Sequence, residues 1–242
     1  MLRLMLTCHH NIVIPPECGF AAWLYPRFRG WQQDHGQEWH RRFVHDLFEC
    51  RKIETWRLDR DALATFLREH TPSGYAAAVS LVYEFYGRNL GRPFTRWGDK
   101  NNFYIDHIAA LDAMYPRSQF VHIVRDGRNV ACSYRRLNRR AMDSPYAPRL
   151  PDKVGEIAQA WRCNLEKVRA AFSVIAPARV HELRMEDLVD DPETQLELLC
   201  AFLNEPFAPT MLDYYRENRQ NELEPASFLQ WKEKTVEPPI RG

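Results

Sequence analysis

Residues 119–134, Gln-Phe-Val-His-Ile-Val-Arg-Asp-Gly-Arg-Asn-Val-Ala-Cys-Ser-Tyr, crowd reactive side chains into a constrained setting. The apolar run Phe120 to Val124 has the length of a buried parallel strand. It breaks directly into Arg125-Asp126-Gly127-Arg128, and a helical pattern follows through Val130, Ala131, Tyr134 and Leu137. A strand that turns straight into a helix leaves unpaired backbone N–H groups and the positive end of the helix dipole at the turn. Two guanidinium forks stand at that point, and Ser133 lies about two turns along the helix. The combination suits a phosphate monoester, with Asp126 as N-cap. On spacing alone, a salt-bridged surface turn fits equally well.

The elements around this segment alternate. Leu2 to Leu6 reads as the tail of a helix, stopped by Pro15-Pro16, and residues 37–49, 59–69 and 74–90 read as helices with aromatic and aliphatic faces. Asp59 and Thr71 are the expected N-caps, with Pro72 in a first turn. Phe94 to Gly98 suggests a short strand, and a helix around Ile108 ends before Pro116. A proline-containing loop over 139–152 precedes the longest helix, about Asp152 to Ala176. Val154, Ile157, Trp161, Leu165, Val168, Phe172 and Ile175 step by three and four there, which predicts one continuous buried face with Trp161 in the core. Arg179 to Leu183 reads as a strand, and Asp191-Pro192 starts a helix over Glu193 to Leu203. Such alternation implies an α/β fold, a mostly parallel central sheet flanked by helices on both faces, with ligands at the carboxyl ends of the strands.

The composition narrows the function. A chain of 242 residues fits one domain with a sizeable core, and its formal charge of +1 directs no global field at nucleic acid or membrane. No apolar stretch is long enough to span a membrane and no signal peptide is legible, so a cytoplasmic location is expected. The six cysteines have no paired short spacing, and Cys132, Cys163 and Cys200 fall in apolar helical patterns, which predicts buried free thiols. There is no His-x-x-x-His or Cys-x-x-Cys pair, so no metal is expected. The basic run Arg135-Arg136 with Arg139-Arg140 reads as a solvated helix end or a rim that draws in an anion.

The Arg125–Ser133 segment resembles the 3′-phosphate-binding element of sulfotransferases that use 3′-phosphoadenosine 5′-phosphosulfate. The resemblance implies that Arg125 and Ser133 hold the 3′-phosphate of that cofactor, with Arg128 assisting. Trp97-Gly98-Asp99-Lys100 resembles the family's Gly-(Asp/Glu)-Lys segment, which implies that Lys100 stabilises the leaving group. Residues 1–17 resemble its first helix and acceptor-side loop, which places Glu17 as general base; an acceptor must lose its proton as it attacks sulfur. Pro15 and Pro16 hold that position stiffly. His9, His10 and His107 are the other candidate bases. His181 to Leu188 resembles the family's Arg-Tyr-Glu-Asp-Leu segment with Met185 at the adenine-side tyrosine, while Glu186 and Asp187 orient the turn.

Departures accompany the resemblance. Asn101-Asn102 stand where relatives often have Thr-Pro. The 5′-phosphosulfate loop and the strand that carries it would precede Met1, so the expectation is a P-loop-NTPase-like sulfotransferase fold lacking both. Trp231 to Pro239 resembles the approach to the family's closing segment, which implies a copy incomplete at both ends and of reduced activity. The implied acceptor is a small molecule, a carbohydrate or a peptide, bearing a hydroxyl or amine. The Trp- and Tyr-rich helices (Trp23, Trp31, Trp39, Tyr75, Tyr83, Tyr86) either line its pocket or form core. A nucleotide-binding paralogue without transfer activity is the other reading. A P-loop kinase fits less well, because no Walker loop or magnesium-binding carboxylate pair is present.

Overall fold

The computed structural model describes residues 1–32, 36–232 and 236–238. In chain order its elements are α1 (Leu2–Thr7), β1 (Ile12–Val13), α2 (Phe20–Trp23), α3 (Tyr25–Phe28), α4 (Gly36–Phe48), α5 (Arg60–His70), α6 (Tyr75–Asn89), β2 (Arg96–Trp97), α7 (Ile108–Met114), β3 (Phe120–Val124), α8 (Gly127–Asn138), α9 (Val154–Phe172), β4 (Val180–Arg184), α10 (Met185–Asp190), α11 (Pro192–Leu203), α12 (Tyr214–Asn221) and α13 (Ala226–Leu229). They form two compact units, Leu6–Tyr115 and Met1–Met5 with Pro116–Gly242.

The pairing of the named strands is parallel, as the alternating pattern implies, but it lies in two separate ladders, with one isolated antiparallel bridge between Gln32 and Gly74. β1 pairs with β2 in the first unit, and β3 pairs with β4 in the second, with Phe120 opposite Val180 and Val124 opposite Arg184. β1 escapes a periodicity reading because it is two residues long. β3 is half-buried along its whole length, not fully buried, since a two-stranded ladder shields a strand less than a sheet centre does.

Aspartate side chains cap the starts of α5, α8 and α11. Asp59 accepts from the Ala62 amide at 2.8 Å, Asp126 from Arg128 at 2.8 Å, and Asp191 from Thr194 at 3.3 Å ahead of Pro192. Thr71 does the opposite of what its type suggests. It ends α5 with φ +39°, its amide on the Leu67 carbonyl, and Gly74 starts α6. Gly74 fits because a Cβ there would lie 2.9 Å from the Trp31 carbonyl oxygen.

The core of the first unit is aromatic. Phe20, Phe28, Phe43, Trp31, Trp56, Tyr75, Tyr83 and Tyr86 are buried together with Leu47, Leu63 and Leu67, while Trp23 remains 42% exposed. Most of the aromatic helices therefore serve packing. In the second unit α9 buries Ile157 and Val168, and Ile175 follows them inside, but Val154 is 55% exposed and Trp161, Leu165 and Phe172 are half-buried. The expected continuous face holds only over its centre, since the helix starts at Val154 with its first turn in solvent. The cysteines are free thiols; Cys18 and Cys200 are buried, Cys163 is half-buried and Cys132 is exposed, the last because the apolar stripe of α8 does not include it.

A buried ion pair joins the chain start to the second unit's far end. Arg3, 6% exposed, donates to Glu224 at 2.8 Å and to the Leu223 carbonyl at 2.9 Å, and Lys232 donates to the other Glu224 oxygen at 2.7 Å. Burial opposes ionisation of Glu224, yet Arg3 and Lys232 outweigh it and hold its pKa below the ordinary value. Removing one partner of such a pair leaves an uncompensated buried charge, so Arg3→Met should lower stability by about 3–5 kcal/mol in urea denaturation at neutral pH. The loss should shrink as the pH falls far enough to protonate Glu224.

Candidate active site

The turn after β3 is built to fix a backbone and leave one cation over. Arg125 follows the strand directly and is half-buried. The indole Nε1 of Trp161, on α9, donates to the Arg125 carbonyl oxygen at 2.8 Å. Gly127 admits that ring, since a Cβ there would stand 3.2 Å from Trp161 Cδ2. From α10, Glu186 accepts from the Asp126 amide at 2.9 Å and from Asn129 Nδ2 at 3.1 Å. The two neighbouring strand ends are thus tied to each other through one carboxylate, the turn-orienting role that the sequence suggests for Glu186.

The charges at this turn divide unequally. Arg128 folds back onto Asp126, with 2.7 Å from its terminal nitrogen to Oδ2 and 3.1 Å from Nε to Oδ1, and its side chain is 91% exposed. The Arg128 hydrogen bond holds the Asp126 pKa down at about 2. The Arg125 guanidinium has no hydrogen-bond acceptor among the described residues. Burial draws its pKa below the ordinary arginine value, with Glu186 acting in the opposite direction, and an arginine so perturbed is still charged at neutral pH. Ser133, half-buried on α8, also has an unpartnered hydroxyl among the described residues. Met185 opens α10, one residue past the end of β4.

Glu17 and Lys100 come together in the other unit. The Glu17 loop is pinned by its backbone: Thr7 Oγ1 donates to the Ile14 carbonyl at 3.1 Å, Trp56 Nε1 to the Pro16 carbonyl at 2.9 Å and Asn101 Nδ2 to the Cys18 carbonyl at 3.3 Å. Just upstream, Arg92 donates to the carbonyls of Thr7, His9 and Ile12 at 2.6–2.9 Å. The Glu17 carboxylate is 13% exposed, and Lys100 Nζ donates to its Oε1 at 2.5 Å. Lys52 Nζ lies 3.3 Å from its Oε2. Asn101, a departure from the family's usual Thr, is thus one of the clamps.

Asp99 organises the Lys100 loop. Its carboxylate accepts from the hydroxyls of Tyr83 and Tyr104, from the Lys100 amide at 2.6 Å and from Asn101 Nδ2 at 2.9 Å. Desolvation nonetheless dominates and pushes its pKa up to about 6. Three residues on which this geometry depends, Lys52, Trp161 and Asp99, escape sequence reasoning as site residues. Lys52 stands 35 residues from its partner in an unremarkable basic run, and Trp161 looks like any apolar helix position. Asp99 alone carries a signal, its place inside Gly98-Asp99-Lys100.

A family model described as "Sulfotransferase family" matches residues 1–209, and the chain belongs to that family. Over 124 residues it is 31% identical to an omega-hydroxy-beta-dihydromenaquinone-9 sulfotransferase, Stf3, of Mycobacterium bovis and Mycobacterium tuberculosis. The aligned part is 48% of this chain and 31% of the mycobacterial protein, so the match spans about a third of that relative. An uncharacterized protein of Aquifex aeolicus is 24% identical over 122 residues, half of this chain and 16% of its own length. Among solved structures, the sulfotransferase domain of the curacin biosynthetic pathway superposes with a TM-score of 0.57 at 20% identity, covering 99% of this chain and 87% of that one. The sulfotransferase domain of the Synechococcus PCC 7002 olefin synthase gives 0.57 at 18% identity, covering 99% and 84%. The fold is the α/β fold of those sulfotransferase domains. No described helix is long and apolar enough to cross a membrane. Of the segment 231–239 likened to the family's closing region, residues 233–235 and 239 lie outside the described residues.

Because the folded state raises the Asp99 pKa, the native chain binds this proton more tightly than the unfolded chain. Stability from this group is therefore greatest below pH 4 and falls as pH rises to about 6. Asp99→Asn should remove that slope: the stability difference between wild type and variant should change by about 2–3 kcal/mol between pH 4 and pH 7 in urea denaturation, wild type losing with rising pH.

Proposed function

We propose that this chain transfers a sulfuryl group from 3′-phosphoadenosine 5′-phosphosulfate to an acceptor hydroxyl or amine. The observation that carries this reading is Arg125: a half-buried guanidinium with no acceptor among the described residues, followed about two turns along α8 by Ser133, whose hydroxyl is also unpartnered among them. A doubly charged phosphate monoester supplies what that pair lacks, namely charge-assisted acceptors in a partly desolvated turn. Met185 offers a polarisable thioether to the purine. Arg128 is exposed and can exchange Asp126 for a phosphate oxygen at the rim.

Lys100 and Glu17 divide the chemistry. Lys100 donates to the bridging oxygen as the S–O bond to the nucleotide breaks, neutralising the charge that develops on the departing bisphosphate. Glu17 accepts the proton of the acceptor as its oxygen or nitrogen bonds to sulfur. The mycobacterial relative is named for an omega-hydroxyl on a dihydromenaquinone. That supports a hydroxyl acceptor on an apolar molecule ahead of a carbohydrate or peptide.

Calorimetry tests the nucleotide assignment directly. Adenosine 3′,5′-bisphosphate should bind more tightly than AMP, and Arg125→Ala should weaken it by roughly ten- to a hundredfold, the worth of one charge-assisted hydrogen bond. Equal affinity for the two nucleotides would remove the assignment. With labelled donor and 1-dodecanol or 4-nitrophenol as acceptor, Glu17→Gln should lower kcat by about two to four orders of magnitude and leave bisphosphate affinity unchanged. Turnover within a few-fold of wild type would move the base to another residue.

A further inference from the structure

Glu17 has two lysine partners, and only Lys100 has a place in the chemistry described above. From the second we infer that Lys52 is the positioning residue of this site: it holds the Glu17 carboxylate in place while Lys100 engages the sulfuryl donor. The inference rests on the reading of Glu17 as base.

A glutamate on a proline-stiffened loop has a fixed Cα but a mobile carboxylate, because its side chain retains three rotatable bonds. Two contacts at opposite oxygens remove that freedom: Lys100 at Oε1 and Lys52 at Oε2. They are not equivalent. The Lys100 side chain is 41% exposed, whereas Lys52 is 20% exposed. An incoming anionic donor competes for the more accessible ammonium, and the deeper one stays with Glu17. Oε1 then turns to the acceptor, receives its proton as the new O–S bond forms, and the electron pair of the breaking S–O bond leaves with the bisphosphate.

The backbone beneath Lys52 points the same way. Lys52 is held at φ +76°, ψ −5°, a left-handed conformation that an L residue with a Cβ adopts at a cost and that glycine adopts freely. Its carbonyl oxygen accepts from the Thr55 amide at 3.0 Å and from Thr55 Oγ1 at 2.7 Å, which anchors the following turn over Ile53–Trp56. Trp56 at the end of that turn is the residue that grips the Pro16 carbonyl. One short segment thus fixes the Glu17 loop by its backbone and the Glu17 carboxylate by its side chain. A lysine in a glycine-type conformation is the pattern of strain retained at a working site.

Three variants test the inference: Lys52→Met, Lys52→Arg and Lys52→Gly. Lys52→Gly relieves the backbone, so its urea midpoint should be no lower than that of Lys52→Met. With 4-nitrophenol as probe acceptor, Lys52→Met and Lys52→Gly should lower kcat by about ten- to a hundredfold with the KM for donor within about threefold, and Lys52→Arg should restore most of the loss. Independently of turnover, a double-mutant cycle in urea over Glu17→Gln and Lys52→Met should show coupling equal to about a two- to fivefold change in the unfolding constant. That coupling should persist with saturating 3′-phosphoadenosine 5′-phosphosulfate, while the Glu17–Lys100 coupling shrinks. Absence of Glu17–Lys52 coupling, its loss on donor binding, or full kcat in Lys52→Met overturns the inference. If wild type does not bind the donor by calorimetry, the proposed function itself fails, and this inference with it.

Discussion

A guanidinium drawn partly out of water must be matched by an anion or stand as a cost to the fold, and the β3–α8 turn carries that cost at Arg125. The surrounding residues hold the turn and withhold a partner. Trp161 takes the Arg125 carbonyl, Glu186 takes the next amide and Asn129, and Gly127 gives room for the indole. Asp126, the nearest carboxylate in sequence, is committed to capping α8 and to Arg128. Arg128 takes up both Asp126 oxygens, and the charge acting on Arg125 from within the chain is Glu186. On the proposed reading, this turn is a preorganised positive site for an anion from outside the chain.

The other unit solves the reverse problem, a carboxylate that must be both fixed and accessible. Asp99 is the buried carboxylate, and four donors converge on it to shape the Lys100 loop. On the proposed reading Glu17 is the working one, with its loop clamped at the Ile14, Pro16 and Cys18 carbonyls and its oxygens held by Lys100 and Lys52. In both units, backbone carbonyls or amides flanking the functional residue are held by side chains from elsewhere in the unit. That leaves the functional side chain itself available for chemistry.

Features set by local chemistry were legible in the sequence. The strand Phe120 to Val124, the caps Asp59, Asp126 and Asp191, and the order of strands and helices depend on neighbours a few residues away, and the structure has them where the pattern puts them. The family signature singled out Arg125, Ser133, Glu17 and Lys100 as candidates, and of these the structure shows Glu17 and Lys100 in contact. Features set by distant packing were not legible. Thr71 has the type of an N-cap, but Gly74 wins because only a residue without Cβ fits under the Trp31 carbonyl. Trp161 fitted an apolar stripe, and nothing local revealed that its N–H would be spent on the Arg125 carbonyl. Lys52 was invisible as a site residue for the same reason, since its meaning comes from a loop 35 residues earlier.

The central claim is that the vacant charge at Arg125 exists for the 3′-phosphate of a nucleotide. A crystal structure of this chain with adenosine 3′,5′-bisphosphate tests it most directly. The claim predicts 3′-phosphate oxygens within about 3 Å of the Arg125 guanidinium and the Ser133 hydroxyl, with Trp161 still on the Arg125 carbonyl. A bisphosphate bound elsewhere, or seated with its 3′-phosphate away from Arg125, would contradict it.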